Sequence, residues 1–101
     1  MNNKAKILDI AMNLNRVGNF ALDDYEKKKK RIDIFLNETK EYIDSIDKSS
    51  LSGSFRKTFD KFLKEYLHLE KESIKTHDEK LKWAEAMMTW GNILTHRTKI
   101  I

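Results

Sequence analysis

Apolar residues recur at alternating spacings of four and three along two stretches of the chain, and the two series mirror each other about the serine-rich segment 48–54. The first series runs from Ile7 through Leu14, Ala21, Ile32 and Phe35 to Ile46. The second runs from Phe55 through Phe59, Phe62, Tyr66, Trp83 and Trp90 to Leu94. Paired from the middle outward, Ile46 with Phe55 and finally Ile7 with Leu94, the partners' numbers sum to 101 throughout. A 4-3 repeat lays its residues along one stripe of an α-helix, and two mirrored stripes predict an antiparallel helical hairpin.

Asn2 or Asn3 supplies an N-cap for a first helix over about 4–47, because a short side-chain oxygen satisfies an orphan backbone N–H. Gly53 and the surrounding serines make 48–54 a loop, and a second helix is expected over about 55–98. The 101 residues form one all-helical domain. Unbroken, each helix would be about 65 Å long. Two internal cap signatures, Asp23 with Glu26 and Thr76 with Glu79, mark places where the chain could reverse. Reversal there gives the alternative architecture, a monomeric four-helix bundle with breaks near 18–24 and 73–77. Continuity is the expectation, since the heptad phase is unchanged across both signatures and neither Asp23–Glu26 nor Thr76–Glu79 holds a glycine or proline, although Gly18 and Asn19 nearby could end a first helix. In the mirrored register Gly18 faces Trp83 and Ala11 faces Trp90, small residues leaving room for indoles.

Apolar content of 40% beside 36% charge fits a folded helical protein, because the apolar residues are periodic. The absence of cysteine excludes disulfides and thiol chemistry and is compatible with a reducing compartment. Asp9, Asn13, Asn15 and Arg16 interrupt the apolar clusters of the first 22 residues, so neither a signal peptide nor a membrane span is expected. The expected location is cytoplasmic.

The positions beside the seam say more about association. One flank of the terminal halves carries Ile10, Val17, Ala86, Ile93 and Ile100, widened by Phe20 and Met88. A hairpin alone would leave this strip in water, and a contiguous apolar strip marks an interface. The expectation is therefore a homodimer, two hairpins forming a four-helix bundle through their terminal halves.

The chemistry-bearing residues are scattered. Lys27-Lys-Lys-Lys-Arg31 is the densest charge run, but five successive helical residues point all round the axis and acids four residues earlier supply partners. Glu65-x-x-His68 has di-iron spacing without a second copy. No nucleophile motif, phosphate loop or paired carboxylates occur, and Trp83, Met87, Met88 and Trp90 read as core. The sequence predicts a non-enzymatic interaction or scaffold protein, without cofactor or metal, that self-associates and can take a further protein partner. The second reading is a weak nucleic-acid binder using Lys27, Lys29, Lys30, Arg31, Arg56 and Lys57.

Overall fold

The computed structural model describes residues 2–100. It is all-helical, with no strand among the described residues: α1 (Asn3–Ser45), α2 (Gly53–Lys71) and α3 (His77–Arg97), plus short 3-10 turns at Lys48–Ser50 and Thr98–Ile100. Short polar side chains fix each start. Asn2 Oδ1 accepts from the Ala5 N–H, Ser52 Oγ from that of Phe55, and Thr76 Oγ1 from that of Glu79. Glu79 reaches back past the cap to accept from the Lys75 N–H at 2.9 Å, which ties the preceding residue to the start of α3.

α1 is not straight. Asp24 has extended backbone (φ −157°, ψ 89°) inside it, and its carboxylate accepts from the Lys27 N–H at 3.1 Å, capping the helical turn that begins at Tyr25. The helix thus divides into a first arm, 3–23, and a second arm, 25–45. An ion pair between Asp23 and Lys28 spans the break, and the lysine holds the Asp23 carboxyl below the usual carboxylate range. The arms run antiparallel: Phe20 stacks on Phe35, Asn13 Nδ2 donates to Glu38, and Lys6 Nζ donates to the Ser45 carbonyl. α2 and α3 fold back on each other in the same way. The Trp83 indole donates to the Leu69 carbonyl and the Trp90 indole to Glu65, while Phe62 and Trp90 lie 5.6 Å apart.

Four antiparallel rods therefore surround one core, with the first arm against α3 and the second arm beside α2. The body measures 39 × 22 × 20 Å. This corrects the expectation of two unbroken helices over 4–47 and 55–98, which a 39 Å body is too short to hold. The reason is local. An extended φ near −157° is open to any residue, so the reversal at Asp24 needed neither glycine nor proline. The cap falls one residue later than the Asp23–Glu26 signature, and residues 72–76 leave the helix between α2 and α3.

The close approaches fall one residue off the expected register. Tyr66 Oη meets the Leu36 carbonyl, and a Cβ on Gly91 or Gly18 would lie 2.9 Å from the Ala11 or Ala84 carbonyl oxygen, respectively. Each of these pairs sums to 102, one from the expected value. The small residues serve a different purpose from the expected one. They bring the first arm and α3 into close backbone contact, while both indoles turn toward α2. Every buried side-chain polar atom among the described residues is hydrogen-bonded, including those of Asn13, Thr39 and Thr98. No helix among the described residues is long and apolar enough to cross a membrane.

Candidate interaction surface

Part of the strip expected to join two hairpins is covered from within the chain. Ile10 and Val17 have no exposed area. Phe20 is half-buried on Phe35 of the second arm; Ala86, Met88 and Ile93 are also half-buried, and only Ile100 is exposed. The assignment of Ile10 and Val17 to an intermolecular interface is corrected accordingly. The apolar flank did need a cover, and the distal half of the same molecule supplies it without the translational entropy that a second copy must lose.

The six basic residues expected to contact phosphate are not brought together. Lys28, in the middle of the run, pairs with Asp23, and Lys29 Nζ lies 2.8 Å from Asp33 and over the Tyr25 ring. The hydrogen bond that Lys29 donates to Asp33 raises the Lys29 pKa above the usual lysine value. Lys27, Lys30 and Arg31 are exposed at the start of the second arm. Arg56 and Lys57 sit at the start of α2, which lies at the opposite end of the antiparallel rods.

A different set of side chains, four of them lysines, is aligned. The inward stripe of α2 is Phe55, Phe59, Phe62, Tyr66 and Leu69, all buried. Lys57, Lys61, Lys64, His68 and Lys71 repeat the same 4-3 spacing two residues later, and all five are exposed. Two residues are about 200° of helical rotation, so these side chains stand on the ridge opposite the core. The ion pairs among the described residues leave the four ridge lysines out; Asp60, beside them, points to Lys48 at 3.8 Å. The ridge was legible in the heptad phase of the cations, but reading along consecutive residues favoured the denser 27–31 run.

Between this ridge and the second arm lies an open cleft of about 430 Å³, with Ile43, Leu63, Tyr66 and Leu67 against Lys40, Asp44, Glu70 and Lys71. Burial, and to a lesser extent Glu70, push the Tyr66 phenol above its ordinary range, so it stays neutral and can donate to the Leu36 carbonyl at 3.4 Å. Glu65 accepts from the Trp90 indole at 3.1 Å, a structural role for one half of the Glu65–His68 pair. Among the described residues no three histidine, aspartate or glutamate side chains gather as a metal site. No family model, curated protein or solved structure matches the chain.

Proposed function

We propose that this chain is a non-enzymatic interaction module, a monomeric four-helix bundle that meets a macromolecular partner on the outer face of α2. One observation carries the reading. The interior satisfies its own apolar and polar groups, whereas the outer face of α2 keeps a row of four exposed lysines beside an apolar side chain, Leu67, that is 56% exposed. The most deeply buried phenol, Tyr66, is held neutral, which suits a packing role better than acid–base chemistry. Self-association through the flank of the terminal halves forms no part of this reading, because Ile10 and Val17 lie inside the monomer.

Site-specific photo-crosslinking tests the reading. Leu67 and Met12 are exposed apolar residues of similar accessibility, at 56% and 49%, placed diagonally across the molecule on α2 and on the first arm. A photoreactive amino acid at 67, in cells making the protein, is expected to give adducts heavier than the chain, and the same group at 12 is expected to give few. Equal yields at the two positions, or none at 67, would overturn the reading.

A further inference from the structure

Resting on that reading, we infer that the α2 ridge of Lys57, Lys61, Lys64 and Lys71, with His68 in line, is a docking site for the phosphate backbone of a nucleic-acid duplex. The ridge is straight because one helix carries it, and it climbs about 21 Å from Lys57 to Lys71 at about 1.5 Å per residue. A duplex presents one negative charge per about 1.7 Å of its axis, so a rod of that length faces many phosphates at once. Three of the stems, with Asp60, rim a shallow hollow of about 300 Å³ on this face, which leaves room for a phosphate to approach the ammonium groups. No ridge lysine has a carboxylate within ion-pairing distance among the described residues, so counterions cover these charges and a polyanion would release them.

The neighbouring residues decide among polyanions. Unpaired strands are held by aromatic side chains on which bases stack. The aromatics of α2, Phe55, Phe59, Phe62 and Tyr66, are all buried on the other side of the helix. Anionic membranes hold surface helices through a row of apolar side chains beside the charges, and here Leu67 alone is exposed among large apolar residues of α2. The ridge has no arginine, asparagine or glutamine to read base edges. Backbone contact independent of sequence is what point-charge lysines give.

Fluorescence anisotropy with a labelled duplex of about 20 base pairs, as DNA and as RNA of the same sequence, tests this between about 50 and 200 mM salt. With four lysines engaged, affinity for DNA is expected to fall about 100-fold over that range, a log–log slope near about −3.6. Lys61→Gln with Lys64→Gln should weaken binding at least about tenfold at the lower salt and cut the slope by about 1.8. Lys27→Gln with Lys30→Gln removes the same charge elsewhere and should change affinity less than about threefold. All four positions are exposed, and circular dichroism verifies that the variants are folded. No binding to either duplex at the lower salt would overturn the inference. So would equal losses in the two double variants, or binding to anionic phospholipid vesicles or to a single strand in preference to duplex. A protein adduct at position 67, with no duplex binding, would remove the ridge assignment while leaving the interaction module in place.

Discussion

Val17→Asp is expected to unfold the protein. Val17 has no exposed area and sits on the face of the first arm that turns toward the second. The substitution forfeits about 1.5–3 kcal/mol of apolar burial and leaves a carboxylate in the core, at a cost of several kcal/mol more. A domain of this size is stable by only about 5–15 kcal/mol. The expected result is loss of cooperative thermal unfolding and a strong drop in helical dichroism at room temperature. Ile100→Asp, at a position 43% exposed, should leave stability within about 0.5 kcal/mol of the parent. An intermolecular strip would behave differently: the Val17 variant would stay folded and lose only its partner. A folded Val17→Asp protein with parent-like melting would contradict the burial of this side chain inside the monomer.

Phe62→Ala should be nearly as damaging, and it reports on a different joint. The ring is fully buried at the centre of an aromatic chain, 5.9 Å from Phe59, 5.4 Å from Tyr66 and 5.6 Å from Trp90. Truncation of a core phenylalanine costs about 3–5 kcal/mol. At about 4–8 °C per kcal/mol, the melting temperature should fall by at least about 12 °C. The contact with Trp90 exists only because α3 folds back on α2; in one straight helix these residues would be about 42 Å apart. A double-mutant cycle with Phe62→Leu and Trp90→Leu should therefore show a coupling of about 0.5–1.5 kcal/mol. Zero coupling, or a Phe62→Ala cost under about 1.5 kcal/mol, would count against the fold-back at 72–76.

Much of this architecture can be read in the residues. Helix follows from the 4-3 spacing, and the caps at Asn2, Ser52 and Thr76 fall where short polar side chains precede apolar periodicity. The 4-3 stripe faces inward whether the helices run straight or fold back. That same invariance hid the reversal. Continuity of phase through Asp24 does not distinguish the two architectures, and an extended cap residue leaves no glycine or proline to mark it. The flank of Ile10 and Val17 announced that something must cover it, but composition does not say whether the cover belongs to the same chain. Loop geometry decides this, and a single non-helical residue was enough. The charges behave similarly. Lys27–Arg31 is conspicuous as text, yet a helix spreads it around its axis and Asp23 and Asp33 each take one of its lysines. The α2 ridge is inconspicuous as text and continuous in space.

The fold-back at Asp24 and at 72–76 underlies the proposed function, since it buries Ile10 and Val17 inside the chain and leaves the outer face of α2 exposed. Light scattering coupled to small-angle X-ray scattering tests it in one run. A single 12.0 kDa chain with a radius of gyration close to 13.4 Å is the expected result. A mass twice as large, carried by a particle with a longest dimension of about 65 Å or more, would contradict it.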